Sequence, residues 1–227
     1  MPKLKWDEPG QHYFETGVDQ GVLFVQNSDG TYANGVVWNG LTQVSLNPTG
    51  AEATDLWADN IKYLSLMSAE ELEATIEAYT YPDEFAECDG SVALATGLNI
   101  GQQPRKRFAL CYRTKIGNEL VGSELGYKIH IIYNAIASPS ERSYETINDT
   151  PDAITFSWDL NTTPIAVEGY KPTAHVELDS TKFSGALAAK LTSIENSLYG
   201  TDGEGQATGT ASTLLTPDQI KGIITAQ

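Results

Sequence analysis

The chain of 227 residues is short of positive charge, of sulfur and of long apolar runs. Each shortage closes off a class of function. Lysine and arginine number 14 against 30 aspartates and glutamates, for a net charge of −16. Nucleic-acid binding draws much of its affinity from cations that displace counterions from phosphates. So acidic a chain repels that backbone, and the same charge favours solubility. The two cysteines, Cys88 and Cys111, form neither a CxxC pair nor a metal-spaced cluster. They read as reduced thiols of a protein made in a cytoplasm. No window approaches the ~20 apolar residues of a membrane-crossing helix. The N-terminus MPKLKWDEPGQ has no apolar segment fit for a signal peptide, so the expectation is a soluble protein with no membrane partner.

Catalytic signatures are missing as well. His12, His130 and His175 lie far apart, with no HxH or HExxH pattern, and there is no GxSxG or Walker loop. No EF-hand loop is present. His130, between Ile129 and Ile131, reads as an outward-facing strand residue. The pairs Glu70-Glu71 and Asp83-Glu84 lie in a uniformly acidic stretch and read as a solvated face. The expectation is a protein that is not an enzyme, with no catalytic, cofactor-binding or metal residues and no cofactor.

What the sequence does contain is β-pattern. Phe108, Leu110 and Tyr112 alternate on one face of a strand, and Tyr127, Ile129, Ile131 and Tyr133 do so on a return strand. Between them the glycines at 117, 122 and 126 permit reversal. Residues 21–44 read as three short strands punctuated by Asp29-Gly30 and Asn34-Gly35. Ile154, Phe156 and Trp158 alternate again, and residues 164–167 and 173–178 complete the pattern. Residues 47–59 read as a long loop broken by Pro48 and Gly50, with Trp57 beside acidic residues. A loop tryptophan is ordinarily tucked against its own core; the alternative is a contact between subunits. Residues 90–104 read as a polar, Gly-rich connection with a short apolar segment, SVALATGLNI. Residues 183–199 carry a helical stripe, Leu187, Leu191, Ile194 and Leu198, with Gly200 as its stop.

Residues 69–81 satisfy two templates. Ser68 and Glu71 have capping-box spacing, and AEELEATIEA is rich in helix formers. The same residues alternate, with Leu72, Ala74, Ile76 and Ala78 inward and Glu71, Glu73 and Glu77 outward. Charge is uneven along the chain. Residues 52–89 carry eleven carboxylates and only Lys62 as a base. Residues 101–135 carry six bases against Glu119 and Glu124. Two such regions are either solvated surface or complementary faces that meet head to tail between identical subunits.

The blocks YRTKIGN, GYKIHIIYNA, ASPSERSYETIND and FSWDLNTTP, preceded by WNGLTQV, GAEATDLWADNIKYL and ATIEAYTYPDEFAECDG, resemble the major tail protein, or tail tube protein, of long-tailed non-contractile bacteriophages and prophages. The resemblance spans about residues 6–200. It implies a virion structural protein, made in the bacterial host cytoplasm and located in the virion tail. Such subunits form hexameric rings that stack into the tail tube and conduct DNA during ejection. The implied partners are further copies of the chain, a tape measure protein, and tail-tip and tail-terminator proteins, while DNA passes without specific binding. The resemblance also favours a strand for 69–81, paired with IKYLSLM, and makes the loop at 47–59 the candidate to reach adjacent subunits.

The resulting expectation is a mainly β fold, a β-sandwich or rolled barrel of the tail tube type with one or two flanking helices. An N-terminal arm covers 1–15, the β-domain 16–199 and a flexible C-terminal tail 200–227. Glu71, Glu73 and Glu77 are the candidate lumen-facing row. Trp57, Asp55 and Asp59, with Arg105, Lys106 and Arg107, are the candidate inter-subunit residues. Two other readings are a carbohydrate-binding β-sandwich, which exposed tryptophans on a flat face would favour, and a tube protein of a contractile tail or secretion machine.

Overall fold

The computed structural model describes residues 3–147, 149, 152–203 and 208–226. The rest, which include parts of the expected arm, of residues 138–152 and of the expected tail, lie outside the described residues. In chain order the strands are β1 (Tyr13–Val25), β2 (Val36–Trp38), β3 (Leu41–Gly50), β4 (Ala53–Ala58), β5 (Ile61–Met67), β6 (Glu70–Ala78), β7 (Val92–Ala95), β8 (Leu98–Ile100), β9 (Phe108–Asn118), β10 (Gly122–Ala137), β11 (Phe156–Thr162) and β12 (His175–Asp179). Helices α1 (Ala186–Tyr199) and α2 (Pro217–Thr225) follow.

The main sheet runs β2-β1-β9-β10-β11-β6-β3, with β12 paired to the free flank of β10. It rolls up because β2 and β3 are nearly one strand bent at Gly40. There φ is +82°, and a Cβ would come within 2.9 Å of the Thr80 side chain. β2 pairs with β1 while β3 pairs with β6, so the two ends of the strand order are covalently close. The fold is therefore mainly β, a rolled antiparallel sheet with two helices on its flank.

The central hairpin is buried on both faces. Phe108, Leu110 and Tyr112 point into the roll, where they meet Leu23, Trp38, Ile76, Trp158 and Leu160. A short 3-10 turn, Asp83–Glu87, drives Phe85 into the same space. Its ring lies 4.5 Å from Trp38, 5.1 Å from Trp158 and 5.3 Å from Phe108, centroid to centroid. Ala109, Cys111, Ile129, Ile131 and Tyr133 point the other way, under Leu191, Ile194 and Leu198 of α1 and Ile220 of α2. Alternation therefore sorts residues between two cores rather than between core and water.

Several expectations change. His130 is not outward-facing. It is 6% exposed, stacked on Tyr112, because the face opposite Ile129 and Ile131 is also covered. β6 is a strand, but its partners are β3 and β11, and β5 pairs with β4 instead. Residues 47–59 are the end of β3 and the whole of β4, not a loop. The stretch 90–104 contains the ribbon β7–β8. Within the expected tail, 200–227, residues Pro217–Thr225 form α2. Thr216 and Gln219 form a reciprocal capping box with Pro217 in the first turn, and α2 packs on α1. Lys190 of α1 donates to the Ile224 carbonyl at 2.6 Å, closing that end.

Candidate assembly surfaces

Among the described residues, two of the uncovered surfaces carry candidate site residues. The first is the outer face of β11-β6-β3. Ala74, Ile76 and Ala78 fill the roll, so the alternate residues must face out. Glu71 and Glu73 are exposed and Glu77 half-buried. Their cross-strand neighbours are Thr49, Asn47 and Gln43 on β3, and Asn161 and Ser157 on β11. Thr75 lies between them, and its hydroxyl donates to Asp159 at 3.0 Å. None of the three strands contains a lysine or arginine. The candidate lumen-facing residues therefore form a single row on a polar face that carries only negative charge.

The second surface is the ribbon β4–β5, which continues the β3–β6 hairpin away from the barrel. Gly50 makes the joint. Its φ is +77°, and a Cβ there would lie 2.3 Å from the Ala69 carbonyl oxygen. The tip turns on Asp59 and Asn60, both at positive φ, the geometry that matches hairpin twist. Every residue of both strands is exposed. Leu56 opposes Leu64, Ala58 opposes Ile61 and Thr54 opposes Leu66, which gives one apolar face. Trp57 opposes Lys62 and Asp55 opposes Ser65 on the other, where Lys62 pairs with Asp55 at 2.7 Å. Trp57 is 68% exposed, so it is not tucked against its own core. A two-stranded ribbon with a bare apolar face is marginal by itself in water.

The candidate basic residues are engaged inside the subunit. Arg105 donates to the Asp89 carbonyl at 3.0 Å, and Lys106 pairs with Glu87. Arg107 donates to the Asn134 carbonyl and the Thr163 hydroxyl, each at 3.0 Å. The structure does not bring them to Asp55, Asp59 or Trp57 of the same chain. Elsewhere in the basic hairpin, Arg113 forms a two-pronged contact with Asp19, and Lys128 pairs with Glu15 and Glu177.

Three further features escaped sequence reading. Ribbon β7–β8 exposes Val92, Leu94, Leu98 and Ile100. Its signal was the alternation on both sides of Thr96-Gly97. Asp89, inside an acidic run, accepts from Trp158 Nε1 and pairs with Arg142. His130 Nδ1 lies 3.3 Å from His175 Nε2, and Thr114 Oγ1 is 3.0 Å from His130 Nε2. Burial lowers the pKa of both histidines, that of His175 to about 4. Burial pushes both cysteine thiols up to about 12, so neither is a ready nucleophile. Among the described residues, no group of three or more His, Cys, Asp or Glu is arranged to hold a metal ion, and no helix is long and apolar enough to cross a membrane.

No family model matches the chain, and no curated protein matches it. Solved structures give loose likenesses. A sheath/tube terminator of the PVC extracellular contractile injection system in its extended state is 10% identical, with a TM-score of 0.32 over 78% of this chain and 99% of that one. A chain of the anti-feeding prophage baseplate is 9% identical, with a TM-score of 0.34 over 77% of this chain and 97% of that one. A chain of the PVC sheath-tube complex is 10% identical, with a TM-score of 0.30 over 78% of this chain and 94% of that one. At such scores the likeness carries no functional argument.

Proposed function

We propose that the chain is a self-assembling structural subunit of a bacteriophage-type tail tube. Copies form hexameric rings, the rings stack, and the hollow tube conducts DNA. The observation that carries this reading is the ribbon β4–β5. Its bare apolar face needs a cover, and none of the described residues supplies one. An exposed contiguous apolar surface of this kind marks an interaction site. The major tail protein resemblance of the sequence blocks makes that partner a further copy.

The outer face of β11-β6-β3 suits the lumen. A conduit must not hold its cargo. Carboxylates repel phosphates and leave DNA hydrated, whereas lysines there would grip it. In this reading Glu71, Glu73 and Glu77 line the bore, and a tape measure protein and tail-tip and terminator proteins complete the tail. Tryptophan placement disfavours a carbohydrate-binding module. Trp38 and Trp158 are core residues, and the exposed Trp6 and Trp57 lie on separate elements.

Electron microscopy of the concentrated protein, with and without tail-tip complexes as seeds, tests the reading. Rings with six-fold averages or hollow tubes are expected. A subunit that stays monomeric even with seeds overturns it.

A further inference from the structure

The two exposed ribbons have matching construction. On β7–β8, Val92 opposes Ile100 and Leu98 opposes Ala95 beside a bulge at Leu94, and the four apolar side chains Val92, Leu94, Leu98 and Ile100 are all exposed. On β4–β5 the equivalent face is Leu56, Ile61, Leu64 and Leu66. Ile61 and Leu94 are 63% and 66% exposed, and among the described residues each ribbon pairs only with itself.

Charge distinguishes the two. The acidic ribbon, residues 51–69, holds Glu52, Asp55 and Asp59 against Lys62. Residues 91–104 contain no ionisable side chain; Glu87 and Asp89 precede them, paired with Lys106 and Arg142, and Arg105 and Arg107 follow. The hydrogen bonds of Arg105 and Arg107 go to carbonyl and hydroxyl oxygens, which leave their positive charge in place. On a chain of net charge −16, this is an apolar surface that does not repel the acidic ribbon.

We propose that the Leu56–Ile61–Leu64–Leu66 face of one copy packs on the Val92–Leu94–Leu98–Ile100 face of the next. The inference rests on the self-assembly reading and names the receptor for its arm. Two ribbons stacked face to face lie about 10 Å apart and exclude water from both apolar rows. The contact joins different patches, so each copy offers one ribbon and receives the other, and repetition closes a ring or builds a stack. The alternative of arm against arm sets two negative surfaces together and leaves β7–β8 bare. Complementary charge then fixes the orientation of the docked arm.

Two variants, I61C and L94C, purified separately and mixed under oxidising conditions, test this. The native Cys88 and Cys111 are buried and give no background. A disulfide between the two variants in the mixture, absent from either alone, is the expected result. Rings or tubes without that cross-link, or with I61C bonding to itself, overturn the receptor and leave the self-assembly reading standing. Absence of both assembly and cross-link, even with tail-tip seeds, removes both. As a second measurement, Ile61→Asp and Leu94→Asp should each raise the concentration needed for assembly at least about tenfold. The control Leu120→Asp, an exposed apolar site outside both ribbons, should not. Equal effects of all three overturn the proposal.

Discussion

The indole of Trp158 donates from Nε1 to the carboxylate of Asp89 at 3.1 Å, joining two residues 69 positions apart at one end of the barrel. The same carboxylate pairs with Arg142, whose guanidinium also lies over the Tyr81 and Phe156 rings. Asp89 thus ties the irregular segment that follows β10 to the aromatic core. Its side chain is only 9% exposed. Asp89→Ala leaves a buried N–H without an acceptor and a half-buried cation without its partner. The expected loss is about 2–4 kcal/mol, read as a lower urea midpoint with an unchanged slope. Asp89→Asn keeps an acceptor for the indole and should lose about half as much.

The histidine pair sets an acid limit. His130 of β10 and His175 of β12 are held 3.3 Å apart, with Tyr112 and Thr114 of β9, Lys128 of β10, Glu15 of β1 and Glu177 of β12 around them. Burial, the main cause, holds the folded pKa of His175 at about 4 against an ordinary value of 6.5. An unfolded chain therefore takes up this proton first. Stability is complete above about pH 6.5, falls as pH drops, and is fully lost for this group below about pH 4. The loss is at most about 3 kcal/mol, less for partial exposure. Denaturation midpoints at pH 7 and pH 4.5 should differ less in His175→Gln than in the parent protein. Equal differences would exclude the pair as the cause.

Barrel and ribbon should respond differently to truncation. Phe85→Ala empties a fully buried ring site between Trp38, Phe108 and Trp158. A loss of roughly 3–5 kcal/mol is expected. Leu66→Ser removes a side chain that is 55% exposed and belongs to the outlying ribbon, not to either core. Its thermal midpoint should stay within about 2 °C of the parent, while its assembly weakens. Destabilisation of the subunit by Leu66→Ser would show that the apolar face is already covered.

These contrasts also explain what could be read from the sequence. The central hairpin was legible because alternation at 108–112 and 127–133 is strict. The same alternation hid His130, since a pattern of period two does not say whether the second face meets water or, as here, Tyr112 and His175. At 70–78 helix propensity and strand alternation competed. The pairing of Ala74 with Leu46 and Leu160 on both sides is a tertiary fact that local preference does not contain. Pro48 and Gly50 made the arm look like a loop. Gly50 is indeed special, but it kinks a hairpin that continues past it to Asp59. The Thr216-Pro217 start of α2 is a helix signal that sequence reading passed over, because a Gly/Thr-rich stretch leads into it. The acidic row was legible in composition and spacing alike. What it faces depends on other copies of the chain, which no single sequence describes.

Reversing that row gives a prediction for the assembled tube. Glu71→Lys, Glu73→Lys and Glu77→Lys together change side chains that point away from the roll, so the subunit should fold and assemble as before. With the row lining the bore, each ring then presents cations to passing phosphates. DNA release from virions carrying the variant should be slow or arrested at low salt. Raising ionic strength from about 0.1 M to 1 M shortens the screening length from about 10 Å to about 3 Å. Release should recover accordingly, because the new contacts are those that counterions displace. Normal release at every salt concentration would place the row on the outside of the tube and free that face for another partner.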